Sequence, residues 1–95
     1  MNLGFYVDSE TDAYHIIKHR VEESEVYEVF ENPGEDRKAD NGARKLIGHT
    51  KAGRYLRVIY VRDQVPDSYF VITAYDLPAK QIQAYRRRKR KKENG

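Results

Sequence analysis

Apolar residues fall into three differently spaced blocks along this chain of 95 residues. In the first block, residues 9–31, they recur every three or four positions, which predicts two short helices. Ser9 is the candidate N-cap of the first helix. The second helix begins near Glu22 and ends at residues 32–34, Asn-Pro-Gly, because proline cannot continue a helix. The expected apolar stripes are Ala13, Ile16, Ile17 and Val21, then Val26, Val29 and Phe30.

The second block, residues 35–76, alternates between apolar and polar residues and predicts an antiparallel sheet. Strands are expected at residues 44–50, 54–62 and 68–75, while the polar residues 35–42 form either a short edge strand or a loop. The links between these strands are short enough for sequential strands to pair as antiparallel neighbours.

The third block, residues 78–92, predicts a C-terminal helix that docks lightly, since Ile82 and Tyr85 are its only large apolar residues. Together the blocks predict an α+β fold, with two N-terminal helices packed on a three- to four-stranded antiparallel sheet and a further helix at the C-terminus. Residues 1–85 are expected to form a single domain. Residues 86–95 form a basic tail that either extends the last helix or frays from it.

Alternation along the two longest strands gives the sheet two chemically different faces. One face is apolar and is expected to pack under the N-terminal helices. The other mixes tyrosines, an arginine and a hydroxyl, so it could stack bases and bind phosphate, or its tyrosines could simply pair across strands. The first face comprises Leu56, Val58, Tyr60, Phe70, Ile72 and Ala74, and the second comprises Tyr55, Arg57, Ile59, Val61, Tyr69, Val71, Thr73 and Tyr75.

Charge is distributed unevenly along the chain. The 18 Lys and Arg residues exceed the 15 Asp and Glu residues by a net charge of +3, but the body is mildly acidic and the tail strongly basic. This asymmetry predicts a nucleic acid or an acidic protein as partner, and the alternative is a solvated tail that only aids solubility. The unbroken basic run comprises Arg86, Arg87, Arg88, Lys89, Arg90, Lys91 and Lys92.

Composition excludes several classes of protein. The chain has no Cys, which rules out a disulfide scaffold, a Cys-based zinc module and a Cys nucleophile. No apolar run reaches the length of a membrane span and the N-terminus lacks signal-peptide features, so a cytoplasmic location and no membrane contact are expected. A small core and the absence of nucleotide-binding or GxSxG motifs predict that the chain uses no cofactor.

Two of the three histidines are candidates for chemistry. His15 and His19 are four residues apart, which is metal-ligand spacing on a helix, but no third ligand is obvious and no metal site is expected. His19 lies between Lys18 and Arg20, so it could act as a general acid or base beside cations that bind phosphate. Alternatively, the cations have only a structural role, since the helix dipole favours positive charge at the C-terminal end of a helix.

This combination of His, Tyr and cations favours chemistry on phosphate. RNA carries its own nucleophile, the 2′-hydroxyl. Cleavage without a metal therefore needs a base for that proton, cations for the developing phosphate charge and an acid for the leaving oxygen. The residues leave three hypotheses open: a metal-independent ribonuclease, a module that binds RNA or DNA without cutting it, and a protein-interaction domain with an acidic partner.

Three segments carry a family resemblance. KHRVEESEVYEVFENP (18–33), RKLIGHTKAGRYLRVIYVR (44–62) and FVITAYDLPAKQIQAYRRR (70–88) resemble the BrnT toxin family, or a closely related domain family of unknown function. The sequence departs from the family pattern at two positions. The glycine that follows the KH pair in the family is Arg20 here, which removes the usual C-cap residue. The arginine of the family's SAR motif, in the third segment, is Tyr75 here. The resemblance implies a RelE-like fold and a type II toxin that cleaves RNA and is silenced by a co-expressed antitoxin. The matching positions are Lys18, His19, Arg44, Arg54, Tyr60, Thr73 and Tyr85.

The expected function is therefore a metal-independent endoribonuclease whose partners are RNA, including mRNA on the ribosome, and a cognate antitoxin. In the expected site His19 is the acid or base, four cations hold phosphate, and two tyrosines stack a base or donate a proton. The cations are Lys18, Arg44, Arg54 and Arg57, and the tyrosines are Tyr75 and Tyr85. The alternative function is a non-catalytic RNA- or DNA-binding module that uses the basic tail.

Overall fold

The structure, a computed structural model, describes residues 1–94. The chain forms an α+β fold in which a five-stranded mixed sheet carries one α-helix on each face, beside a separate two-stranded hairpin. The strands are β1 Asn2–Phe5, β2 Val7–Asp8, β3 Ala13–Tyr14, β4 Glu35–Lys38, β5 Arg44–His49, β6 Tyr55–Arg62 and β7 Ser68–Asp76. The α-helices are α1 Glu23–Glu31 and α2 Ala79–Asn94, and short 3₁₀ helices span His15–His19 and Asp40–Gly42.

The sheet has the strand order β1-β7-β6-β5-β4. The three strands expected from alternation are confirmed as β5, β6 and β7, and the polar segment left open between edge strand and loop contains the edge strand β4. The expected three- to four-stranded antiparallel sheet is wrong, because β1 adds a fifth strand that runs parallel to β7, with Asn2 opposite Ser68. This pairing joins opposite ends of the chain, so no local pattern indicates it.

The expected pair of N-terminal helices is also wrong, since only α1 forms there. The residues assigned to the first helix instead form β3, which pairs with β2, and the 3₁₀ helix His15–His19. Asp12 has φ 56° and Arg20 has φ 56°, so left-handed backbone interrupts the segment on both sides. Ile16 is buried but Ile17 is 57% exposed, so the apolar spacing of this segment does not mark one helical stripe.

The face under α1, called the α1 face, carries the main core. Leu56 and Val58 of β6 are fully buried and pack with Val26 and Val29 of α1, as the alternation predicted. The helix begins at Glu23 with a capping box, in which the side chain of Glu25 accepts a hydrogen bond from the backbone N–H of Glu22 at 3.0 Å. Burial of these aliphatic side chains stabilises this part of the fold.

A β-bulge in β7 changes which residues reach the core. Ile59 pairs with Thr73 but Tyr60 pairs with Val71, so Ile72 is an extra residue in β7. Because side chains alternate between faces, one extra residue reverses the phase of the strand before it. The expected face is therefore wrong for Tyr69, Phe70 and Val71.

Helix α2 packs on the opposite side of the sheet, called the α2 face. Tyr85 is 2% exposed and forms a second apolar cluster with Ile47 and Leu77. The expected C-terminal helix is confirmed, and the basic run extends it as far as Asn94. The last residue of the predicted tail, Gly95, lies outside the described residues.

Candidate nucleic-acid interface

The basic helix α2 is held on the sheet by two of its own cations. Arg88 makes a bidentate ion pair with Glu35 of β4, with nitrogen–oxygen distances of 2.7 and 3.0 Å. The hydrogen bond from Arg88 lowers the pKa of the Glu35 carboxyl, while partial burial acts in the opposite direction. Nearer the start of the basic run, Arg86 donates to the Tyr55 hydroxyl at 3.0 Å and lies over its ring. These contacts fix the direction in which the remaining cations of α2 project.

A cation-rich groove of about 210 Å³ lies between α2 and the sheet. Register explains why its cations converge: Arg37 of β4 is directly opposite Lys45 of β5, and Arg57 of β6 is directly opposite Ile47. Arg57 also donates a hydrogen bond to Gln81 of α2. The groove is lined by Glu35, Arg37, Lys45, Ile47, Arg57, Gln81, Ala84 and Arg88. Four of these eight residues are cations and one is an anion, so the groove favours a polyanion.

Three of the residues expected in the catalytic site lie next to one another beside this groove. The rings of His19 and Tyr75 are 5.8 Å apart, and Arg57 donates to the Tyr75 hydroxyl at 3.4 Å. Tyr75 is directly opposite Arg57 in the sheet, which explains this contact. The 3₁₀ helix that carries His19 packs against β7. The phenol of Tyr75 therefore contacts both an imidazole and a guanidinium at the edge of the α2 face.

The next neighbours of His19 include a carboxylate that the sequence did not single out. Asp8 of β2 lies 2.6 Å from the Lys18 ammonium and 3.4 Å from Nδ1 of His15, measured to the same carboxylate oxygen. The hydrogen bond from Lys18 lowers the pKa of Asp8 to about 2. The His15 ring is in turn 5.6 Å from the His19 ring. Lys18 and His19 thus belong to one polar cluster, with Asp8 and His15 as additional members.

Arg54, another residue expected to hold phosphate, joins three segments of the fold. It makes two hydrogen bonds to Asp76, at 2.7 and 3.1 Å, and one to Glu25 at 2.9 Å. It also donates to the backbone carbonyls of Arg20 at 2.8 Å and His19 at 3.2 Å. Its pKa is raised, first by Asp76 and then by Glu25. All these contacts are within the protein, so Arg54 supports the backbone that carries His19.

The two remaining expected residues lie elsewhere. Arg44 is directly opposite Tyr60 and therefore on the α1 face, away from Arg57. It forms an ion pair with Asp36 at 2.8 Å, and the Tyr60 hydroxyl donates to the same carboxylate at 2.6 Å. Tyr85 is buried in the apolar cluster under α2. The structure thus brings together four of the seven expected site residues, Lys18, His19, Arg57 and Tyr75.

Comparison with known proteins gives no family assignment. No protein-family model, curated protein or solved structure matches this chain. Within residues 1–94 no helix is long and apolar enough to cross a membrane. The same residues contain no group of three or more His, Asp or Glu side chains that could hold a metal ion. The features of the described residues that bear on function are therefore the basic groove and the cluster beside it.

Proposed function

We propose that this chain is an endoribonuclease that needs no metal ion and that binds RNA along the α2 face of its sheet. The observation that carries the proposal is the position of Arg57, whose guanidinium lines the basic groove and contacts Tyr75, the neighbour of His19. A phosphate bound to Arg57 would lie close to an imidazole. Acid–base cleavage of RNA requires this combination of groups.

In the proposed reaction His19 removes the proton from a 2′-hydroxyl, and the oxygen then attacks the neighbouring phosphorus. The bond between phosphorus and the 5′-oxygen breaks. The products are a 2′,3′-cyclic phosphate on one fragment and, after protonation, a 5′-hydroxyl on the other. Arg57 and Lys45 stabilise the negative charge on the non-bridging oxygens. Tyr75 stacks against a base of the RNA.

The resemblance to the BrnT toxin family supports a proposal for the cellular role of this activity. We propose that the chain is the toxin of a type II toxin–antitoxin system, acts on mRNA in the cytoplasm, and is silenced by its cognate antitoxin. An acidic segment of an antitoxin would be attracted to the same groove cations that hold phosphate. RNA and antitoxin would then compete for the α2 face.

The first experiment is 5′-end mapping of total RNA after induced expression in a bacterial host, because it detects cleavage both on and off the ribosome. Wild type should create new 5′ ends, and His19→Ala should create at least about 100-fold fewer, the usual effect of removing a general acid or base. His49→Ala is the matched control, since His49 contacts Tyr55 rather than Tyr75. Equal cleavage by wild type and a folded His19→Ala variant would rule out His19 as the acid or base.

A second candidate function is RNA or DNA binding without cleavage, and a specific observation favours it. The seven cations of the basic run are on one continuous helix, and only Arg86 and Arg88 are anchored to the sheet by the contacts described above. Such a helix presents a dense row of positive charge to a phosphate backbone. This function predicts binding by wild type with no new RNA ends.

Salt dependence of binding tests the second candidate. Replacing Arg87, Arg90 and Lys91 by Gln leaves both anchoring cations in place. If each of the three contacts one phosphate of single-stranded RNA, the slope of log K against log salt should become about 2 units shallower. The matched control replaces Lys38, Lys51 and Arg62, three exposed cations outside the basic run. An unchanged slope in the α2 variant would show that α2 does not bind the phosphates.

A further inference from the structure

Cleavage of RNA without a metal needs two proton-transfer groups, and the cluster beside the groove contains two imidazoles. The rings of His15 and His19 are 5.6 Å apart and meet at 66°. Both are accessible, since the His15 side chain is 30% exposed and His19 is exposed. Histidine is the side chain best suited to exchange protons near neutral pH. The four-residue spacing that suggested metal ligands in the sequence thus has a different chemical use.

The second imidazole has an orienting partner. Nδ1 of His15 lies 3.4 Å from Oδ2 of Asp8, whose side chain is 9% exposed. A carboxylate at this position favours the tautomer with the proton on Nδ1 and holds the ring by one edge. Nε2 is then the nitrogen that can exchange a proton with a ligand. Asp8 is itself held by Lys18 at 2.6 Å and by the backbone N–H of Glu10 at 2.9 Å.

We propose that His15 is the general acid that protonates the leaving 5′-oxygen, while His19 is the base, and that Asp8 is the positioning residue for His15. This inference depends on the proposed ribonuclease function and adds a second catalytic residue to it. In this role His15 starts as the imidazolium, with its Nδ1–H directed at Asp8, and its Nε2 proton passes to the 5′-oxygen as the phosphorus–oxygen bond breaks, leaving the neutral ring protonated on Nδ1. The proton taken from the 2′-hydroxyl remains on His19, so the two imidazoles exchange roles over one turnover and water restores them.

Lys18 completes the arrangement. The ammonium group of Lys18 has three hydrogen-bond donors, and one of them points to the Asp8 carboxylate. Its side chain is 43% exposed, so its other donors can reach a phosphate oxygen. The cluster thus contains a base, an oriented acid and a cation within one short segment and its strand partner.

Changing the leaving group separates an acid from a base. An RNA dinucleotide has a poor alkoxide leaving group and needs the acid, whereas a uridine 3′-(4-nitrophenyl) phosphate has a good one and does not. His15→Gln should therefore lose about 100-fold or more on the dinucleotide and stay within a few-fold of wild type on the aryl ester. His19→Gln should lose activity on both substrates, because both need the 2′-hydroxyl proton removed. His49→Gln, the matched control, should keep activity on both.

Two readouts separate this inference from the proposed function and from misfolding. Ring ¹⁵N NMR of His15 in its neutral form, which needs no substrate, should report the Nδ1-protonated tautomer in wild type and a loss of that preference in Asp8→Asn. Thermal melting of each variant checks that the fold is retained. Wild type that cleaves neither substrate would overturn both the function and the inference. Wild type that cleaves both, with His15→Gln equally active or equally impaired on the two, would overturn the inference alone.

Discussion

The contacts of Arg54 lead to a stability prediction whose size can be worked out. Arg54→Ala removes hydrogen bonds to Glu25, to Asp76 and to the carbonyls of residues 19 and 20. The Asp76 side chain is 65% exposed, so water screens that ion pair and its contribution is about 0.5 kcal/mol. Glu25 is only 21% exposed, and its bond together with the two carbonyl bonds contributes about 2 kcal/mol. The expected loss is therefore about 2–3 kcal/mol.

Urea denaturation at neutral pH, followed by circular dichroism, measures this loss. In a domain of this size, a loss of this magnitude should also lower the Tm of Arg54→Ala by roughly 10–20 °C in thermal melting. Arg54→Lys should lose about half as much, because an ammonium keeps the charge but cannot make the forked contacts of a guanidinium. Arg62→Ala, an exposed cation at the end of β6, is the matched control and should stay within about 0.5 kcal/mol of wild type.

Amide hydrogen exchange locates the effect of Arg54→Ala. The backbone N–H groups of Arg20 and Val21 donate to Ile17 and Ile16, so the end of the 3₁₀ helix is closed by bonds that depend on this segment staying in place. These two amides should exchange faster in Arg54→Ala while the amides of β5 and β6 keep their protection relative to global stability. A loss of stability below about 1 kcal/mol with unchanged exchange at both amides would refute the structural role assigned to Arg54.

Three further predictions follow from local geometry. Gly34→Ala should destabilise the fold by about 1–3 kcal/mol in urea denaturation, because the new Cβ would collide with the Tyr85 hydroxyl and lie 2.8 Å from the Ile47 carbonyl; unchanged stability would contradict this packing. Arg20→Gly should raise stability by about 0.5–1 kcal/mol, since Arg20 has φ 56° at the end of the 3₁₀ helix, and a lower Tm would contradict the strain argument. Stability should fall as pH drops from about 4 towards 2: the lowered pKa of Asp8, about 2, means that the unfolded chain binds more protons in this window, and Asp8→Asn should flatten the acid limb.

The regular strands could be predicted because their pattern is local. In β6 the buried and half-buried positions alternate along almost the whole strand, so the sequence itself marks both faces. Two features of the sheet have no such pattern in the local sequence. The bulge at Ile72 depends on pairing with β6, and β1 depends on a partner at the other end of the chain. Both are decided by tertiary contacts, which local periodicity does not contain.

The candidate site could be predicted only in part, for a related reason. His19, Tyr75 and Arg57 were identified by residue type, and the topology brings them together because β7 lies between the 3₁₀ helix and β6. Arg54 has the same charge as Arg57 but lies where backbone carbonyls and carboxylates surround it. Asp8 was missed because its only sequence signal is a single carboxylate seven residues before His15. Residue type suggests chemistry, and only the environment separates a binding cation from a structural one.

The N-terminal segment that carries the proposed catalytic cluster depends on few interactions. It packs into the core through Ile16 and Val21, pairs through a hairpin of two residues per strand, and is tied to the sheet by Arg54. Such a segment can open locally at lower free energy than the five-stranded sheet. Activity should therefore be lost before global unfolding as urea is added, if the cluster cleaves RNA. Coincident loss of activity and of far-UV circular dichroism would mean that the segment and the sheet unfold as one cooperative unit.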